Sequence, residues 1–276
     1  MSTLLPGLPR AVLRLHRPAL ALWTAFVLVT VGCLVLVASA SDGARSGLTD
    51  CTAPGDGCLA DPWAIDYGSL LGTVGGLTSL GVWAVAAWAG GALIGRELES
   101  GTARLAWTQG VSPRRWLATG LALPALALTT GSAAVAAVFQ WAWSSHQDLT
   151  ADEWATTGAF AARGPALAAY TLCALALGAL TGLLLRRQLP ALGASLALTV
   201  ALGQAMAAVR ARFWPTATLH DGQHLSPHAW QPSGHGPAYH PASHFWPIHL
   251  VETGVVVTLA ALATAAAFAV LRRRTA

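Results

Sequence analysis

Hydrophobic and charged positions are sharply separated along this chain. Uncharged stretches cover about residues 19–40, 70–94, 117–143, 164–185, 188–209 and 253–271, and the last continues back to 251 if Glu252 is included at its mouth. A helix needs roughly 20 residues to cross a hydrocarbon core of about 30 Å, and each stretch is close to or above that length. The pattern predicts an all-α polytopic membrane protein, a single membrane domain over 1–276 with spans at about 19–40, 70–94, 117–143, 164–185, 188–209 and 251–271.

Composition and charge agree with this pattern and add an orientation. Mean hydropathy is +0.54 and only 10% of residues are charged, whereas soluble domains carry about 25%. All 16 basic residues are arginine, and most of them fall on one side of the predicted membrane. The positive-inside rule then places both termini in the cytoplasm and residues 41–69, 144–163 and 210–250 outside. Residues 11–17 predict a short helix in the inner interface, although simple topogenic charge explains their arginines equally well.

The segment 95–116 is a charged island between two uncharged spans, and so it forms the cytoplasmic turn of a membrane hairpin. Ser100 and Thr102 can cap a helix start, and Gly110 can end one. Residues 103–109 are therefore expected to form a short rigid rod that contacts a soluble partner, with Leu105 and Trp107 as apolar contacts and Arg104 as a charged one. The alternative is that these charges only solvate the turn and fix the topology.

Two of the predicted outer loops contain possible ligand or redox residues. Cys51 and Cys58 flank a Pro-Gly-Asp-Gly turn, so a disulfide is expected in an oxidising compartment, with two free thiols as the alternative. His220, His224 and His228 share a four-residue spacing that could offer imidazoles to zinc or copper from one helical face. Prolines interrupt that loop and no complete ligand set is visible, so the preferred interpretation of 210–250 is an aromatic cap at the membrane surface, without bound metal.

The chain has no recognisable energy source of its own. A P-loop needs a lysine, and the sequence contains none. Nor does it contain a metalloprotease HExxH or a hydrolase GxSxG motif. We therefore expect no enzyme activity and no cofactor in this chain.

With these features the sequence resembles bacterial ABC transporter permeases of the type-2 exporter class. The resemblance rests on the order of the predicted parts and on residues 13–23, 96–116 and 241–254. In that family, an acidic residue followed by Gly-Thr and then by a Ser-Pro-Arg step forms the coupling helix that sits in a cleft of the ATPase. The residues that match are Glu97, Glu99, Gly101, Thr102, Ser112, Arg114 and Arg115, and we add Arg104 and Trp107 from the helix argument above.

The resemblance implies partners and a location. The expected partners are cytoplasmic ABC ATPase subunits that bind ATP and magnesium, a second permease as homodimer or heterodimer, and membrane lipids, with no nucleic acid. The expected location is the bacterial plasma membrane, and the expected activity is ATP-driven transport, with export as the direction. Two other functions stay open: a non-transporting scaffold or sensor that binds a ligand or metal through the outer loop, and a membrane enzyme or metal-handling protein.

Overall fold

A computed structural model describes residues 7–43, 67–150, 153–220, 224–226, 228–232 and 236–275. Within them the chain is a bundle of long helices with short connecting pieces. The α-helices are α1 (Gly7–Ser39), α2 (Tyr67–Ala87), α3 (Leu93–Glu99), α4 (Thr102–Thr108), α5 (Pro113–Ser145), α6 (Thr157–Ala162), α7 (Pro165–Leu185), α8 (Gln188–Val209) and α9 (Phe245–Thr275). A π-helical turn, Trp88–Ala92, joins α2 to α3 without a break, and two strands, β1 (Ala217–Thr218) and β2 (Ala238–Tyr239), pair antiparallel.

Six helices are long and apolar enough to cross a membrane, which confirms the number of predicted spans. They cover Ala19–Gly43, Tyr67–Glu99, Pro113–Ser145, Pro165–Leu185, Gln188–Arg212 and Ala242–Thr275. Residues 11–17, predicted as a short interfacial helix, are helical, and their helix is continuous with the first span, since α1 passes through Pro18. A proline lacks one backbone N–H, but it does not by itself end a helix whose neighbours continue it. Cys51 and Cys58 lie outside the described residues, and their disulfide stays a prediction.

The bundle is built around α7. This helix packs against α9, α8, α5, α2 and the π-turn, and its residues are buried on all sides, from Ala166 near its start to Leu183 near its end. A helix that is apolar all round is expected in such an interior position. By contrast, α1 and α8 bury only a narrow stripe in this chain and expose most of their apolar surface.

Spaced glycines allow the backbones of the π-turn and α3 to touch that of α7. A Cβ at Gly90 would lie 2.2 Å from the carbonyl oxygen of Leu175, and one at Gly178 would lie 2.6 Å from the backbone nitrogen of Gly91. Gly182 faces the same contact at Gly91 and Gly95. This close approach of glycine-spaced helices is possible because only a hydrogen side chain fits between these backbones.

Two ends of the bundle are distinguished by their connections. The hairpin end carries α4, the α7–α8 turn at 186–187 and the last turn of α9. The loop end carries the described residues of 146–164 and 210–244. At the loop end α6 packs against α2, and its Gly158 lies against Gly72 and Gly76. The segment predicted as an ordinary outer loop at 144–163 thus contains a short buried helix.

Candidate functional site

The short helix α4 at the hairpin end is bounded by two glycines with left-handed backbone conformations. Gly101 precedes it with φ of 78°, and Gly110 follows it with φ of 89°. The N–H of Val111 bonds to the carbonyl of Ala106, and that of Gly110 bonds to Trp107. This pair of bonds is a Schellman motif, which leaves the residue after the helix in the conformation that glycine adopts most easily. The predicted rod and its end at Gly110 are therefore both present.

The start of α4 is arranged differently from the sequence-based expectation. No side chain caps this helix. The hydroxyl of Thr102 instead donates to the carbonyl oxygen of Glu97 and lies 3.0 Å from the hydroxyl of Ser100. Thr102 therefore satisfies the carboxyl end of α3, because the left-handed turn at Gly101 brings it back over the last turn of that helix.

Glu97 is bound within the chain. Its Oε2 accepts a hydrogen bond of 2.6 Å from the indole Nε1 of Trp116, at the start of α5. Trp107 of α4 meets the same Trp116 ring edge to face, with centroids 5.7 Å apart. Trp107 also packs into a small hydrophobic cluster that includes Leu183 and Leu271. These contacts tie α4 to the spans on either side of the hairpin.

Glu99 is also bound within the chain, and it acts as a helix cap. Its Oε2 accepts the backbone N–H of Gln188, the first residue of α8, at 2.9 Å. The first N–H groups of a helix have no partner inside the helix, and the positive end of the helix dipole favours a carboxylate there. Glu99 therefore stabilises the start of α8 from the end of α3.

The remaining predicted contact residues divide into a capping group and an exposed group. Ser112 caps α5 by accepting the N–H of Arg115 at 3.3 Å, and Pro113 occupies the first helical position. The guanidinium groups of Arg104, Arg114 and Arg115 are exposed, and none forms a hydrogen bond or ion pair with another described residue. Leu105 projects from the outer side of α4 and is 58% exposed. Within the described segment 100–115, Leu105 is thus the exposed large apolar side chain, and arginines surround it in sequence.

We expect Glu97→Ala and Trp116→Phe each to lower the free energy of unfolding by about 1.5–3 kcal/mol, because each removes a hydrogen bond to a charged group. Since both changes delete the same bond, the double variant should lose much less than the sum of the two. Glu97→Gln, which keeps an acceptor oxygen, is the matched control and should lose less than Glu97→Ala. Thermal or denaturant unfolding of the purified chain measures this, and additive losses would show that the bond is unimportant.

A second polar cluster is buried near the loop end. Arg210 and Glu252 form a two-pronged ion pair, with Nε to Oε2 at 2.9 Å and Nη2 to Oε1 at 3.1 Å. Their side chains are 3% and 0% exposed. Tyr170 of α7 donates to the same carboxylate at 2.8 Å, and the guanidinium lies 3.8 Å from the centroid of the Phe160 ring. The pair therefore joins α8, α9, α7 and α6 at one point.

A neighbouring group of residues surrounds Arg163. Its guanidinium lies between the rings of Trp143 and Phe245, at 4.5 and 3.9 Å from their centroids, and its Nε donates to Gln140. Burial lowers the pKa of Arg163 to about 10, so it remains charged at neutral pH. Beside it, His249 accepts the N–H of Ala166 and so caps α7. These contacts fix the connection between α6 and α7.

The described residues of the histidine-rich loop do not form the helix that a metal site with four-residue spacing would need. In the described parts of 213–241 the chain contains β1, β2 and irregular segments, with no α-helix. Among the described residues, no three side chains of His, Cys, Asp or Glu lie together in a way that could hold a metal ion. Between residues 213 and 241 the described secondary structure is the pairing of β1 with β2, and residues 224–226 are irregular.

The described part of this loop packs as a cap on the bundle. Trp154 donates to the carbonyl of His228, and the Trp230 ring stacks on His240 with centroids 5.3 Å apart. His240 lies 3.2 Å from the carbonyl oxygen of Ala211 through Nε2. A carbonyl only accepts, so Nε2 carries the proton. Burial, with a smaller contribution from His244, lowers the pKa of His240, which favours this neutral form.

Comparison with known protein families decides the class of this bundle. The profile of the family described as "ABC-2 membrane transporter related" matches residues 23–210. The chain belongs to this family. Comparisons with curated proteins and with solved structures find no match. Together with the six apolar helices, the family indicates a multi-pass membrane protein of the permease type, that is, a transport subunit without catalysis of its own.

The match includes α4 with all nine predicted coupling residues. It ends at Arg210, so it covers only part of the cluster around Glu252. Sequence reasoning offers Arg210 or Arg212 as the partner of Glu252, since a lone carboxylate at a span mouth needs a counter-charge, and the structure pairs Glu252 with Arg210. It missed Trp116 as the partner of Glu97, although an indole N–H at the start of a span is a signal that a buried acceptor is near. No local signal in the sequence pointed to Glu99 as the cap of α8.

Proposed function

We propose that this chain is the membrane-spanning subunit of an ATP-driven exporter. In this proposal the hairpin end faces the cytoplasm of a bacterial cell, and α4 docks on a separate ABC ATPase that binds ATP and magnesium. A second permease, identical or similar, completes the transporter. The observation that carries the proposal is the construction of α4: a short helix attached to both spans of a hairpin, with an exposed apolar residue on its outer side.

The attachment is what makes α4 suitable for coupling. Trp107 and the Trp116–Glu97 bond hold it against α3 and α5, and Glu99 extends the connection to α8. Displacement of α4 by a nucleotide-driven partner would therefore move several spans together. Packed helices shift as units because their interiors deform little.

The same contacts change the expected roles of the two glutamates. The family resemblance places Glu97 and Glu99 in the coupling segment that sits in a cleft of the ATPase. Both carboxylates are instead used to hold α4 and α8 in place. In the proposal they position the coupling helix, while Leu105, Arg114 and Arg115 supply the surface that the ATPase contacts.

Leu105 provides the sharpest test of docking. Leu105→Ala should weaken association with the ATPase about 5- to 30-fold, since burial of a leucine is worth about 1.5–3 kcal/mol and alanine keeps only part of it. Leu250→Ala is the matched control, because Leu250 is 56% exposed against 58% for Leu105 and lies near the loop end. ATPase co-purification and ATP hydrolysis in reconstituted membranes are the measurements, with membrane insertion checked for both variants.

A photo-reactive amino acid at each of the two positions identifies the contact directly. In native membranes, position 105 should cross-link to a protein that contains ABC nucleotide-binding motifs, and position 250 should not. If neither position reaches such a protein and Leu105→Ala leaves hydrolysis unchanged, the docking role of α4 is wrong. The scaffold or sensor function would then be favoured.

A further inference from the structure

A basic cavity lies at the hairpin end, between the carboxyl ends of α7 and α9 and one side of α4. Its volume is about 260 Å³. Three arginines line it: Arg104 from α4, Arg186 from the turn after α7, and Arg274 from the last turn of α9. No aspartate or glutamate is among the lining residues. The cavity therefore concentrates positive charge, and within the described residues no carboxylate in its wall neutralises it.

The nearest acidic residues in sequence are already engaged elsewhere. Glu97 binds Trp116 and Glu99 caps α8. Of the three arginines, Arg274 donates to the carbonyl oxygen of Leu183, which anchors its guanidinium at the end of α7 and leaves most of its N–H groups available. The guanidinium groups of Arg104 and Arg186 bond to no other described residue. Two complete guanidinium forks and part of a third are thus free to bind an anion.

The backbone at Arg186 adds a second observation. This residue ends α7 in a left-handed conformation with φ of 54°. A left-handed backbone is strained for a residue with a side chain, and glycine is the usual choice at such a helix end. Glycine would fit this backbone better, so a role of the side chain in binding explains why the residue is arginine.

Apart from Thr275, the other walls of the cavity are apolar. Leu98, Leu183 and Leu271 line it together with Trp107. The site therefore combines three cationic groups with a surface of three leucines and the Trp107 side chain.

We propose that this cavity binds the phosphate group of an anionic phospholipid from the adjacent leaflet. Arginine suits phosphate because its planar fork can donate two N–H bonds at once. The leucine wall fits the glycerol and the first methylenes of an acyl chain, which a free phosphate ion lacks. The position also fits, since the cavity lies where three helices of bilayer length end, at headgroup depth. Because Arg104 lies on α4, the bound lipid links that helix to α7 and α9.

The test compares lipid binding by the full-length purified chain in detergent, with native mass spectrometry as the measurement. Phosphatidylglycerol and phosphatidylcholine with identical acyl chains are the two probes, and inorganic phosphate is a third. The cavity variant is Arg104→Gln with Arg186→Gln. The control variant is Arg187→Gln with Arg272→Gln, which removes the same charge from exposed arginines at the same end that do not line the cavity.

The parent and the control should bind one phosphatidylglycerol at least about tenfold more tightly than phosphatidylcholine, since each charge-assisted hydrogen bond contributes substantially. The cavity variant should lose this preference. Arg104→Gln alone changes only an exposed side chain and should lose part of it, which keeps the test valid if the double variant is unstable. Inorganic phosphate at millimolar concentration should not displace the lipid.

Three outcomes would overturn the proposal. Equal preference for phosphatidylglycerol in the cavity and control variants would mean that the lipid binds elsewhere. If the cavity and control variants lose the preference for phosphatidylglycerol equally, the preference is a general effect of positive charge. Displacement of the lipid by inorganic phosphate would identify a site for free anions in which the leucine wall has no role.

Discussion

Glu252→Ala is expected to destabilise the protein by about 3–5 kcal/mol, because it leaves Arg210 charged and buried without its partner. The side chain of Arg210 is only 3% exposed, and its remaining described hydrogen bond goes to the carbonyl of Ala155. Most of the expressed Glu252→Ala protein should therefore be unfolded or aggregated rather than monodisperse. Size-exclusion profiles and apparent melting temperature in mild detergent measure this.

The matched variants separate the charge from the packing. Tyr170→Phe removes one hydrogen bond to the same carboxylate and should cost only about 0.5–1.5 kcal/mol. The double variant Arg210→Met with Glu252→Leu removes both charges and should be more stable than Glu252→Ala alone. If Glu252→Ala is as stable as the parent, water reaches Arg210 and solvates it.

Gly90→Ala is the second change with a large expected effect. Its methyl group would lie 2.2 Å from the carbonyl oxygen of Leu175 and 3.0 Å from the backbone nitrogen of Ala179. Both are backbone atoms of α7, so no side chain can rotate away, and the whole helix must shift. We expect a loss at or above the upper end of the roughly 1–3 kcal/mol typical of overpacking.

Gly120→Ala serves as the control for this prediction. Gly120 lies in the helical interior of α5, and a Cβ there would meet no heavy atom within 4 Å. Alanine is favoured over glycine in a helix by roughly 0.5–1 kcal/mol, so this variant should be neutral or more stable. Thermal unfolding of the two variants side by side is the measurement. Equal stability of the two would argue against the tight contact between the π-turn and α7.

The sequence predicted the spans well because their signal is local. Twenty uncharged residues have few alternatives to a membrane helix, and Gly110 ends α4 through bonds to residues at most five positions away. The short helix α6 was not predicted, since six residues rich in alanine give too little periodicity to separate a buried turn of helix from a loop. Continuity of α1 was also missed, because arginines before a span indicate the membrane interface but do not show whether one helix runs from the interface into the span.

Partners far apart in the chain explain most of what the sequence did not reveal at the candidate site. The charge on Glu99 suggested an outward contact, yet its partner is Gln188, 89 residues away. Likewise, the glycine spacing indicated close helix packing but not that Gly178 meets Gly91. Which side chains of the charged hairpin are free for a partner depends on such contacts, and they leave Leu105 and the arginines exposed.

The ion pair between Arg210 and Glu252 also constrains how the protein is made. Arg210 leaves the ribosome 42 residues before Glu252, so a nascent chain that has completed five spans carries an arginine whose carboxylate does not yet exist. In such an intermediate Arg210 is charged at the membrane without its counter-ion. Insertion of the last span brings Glu252 to Arg210 and neutralises it. A chain truncated before Glu252 is therefore expected to be degraded by membrane quality-control proteases. Insertion of the sixth span would protect the protein from this degradation.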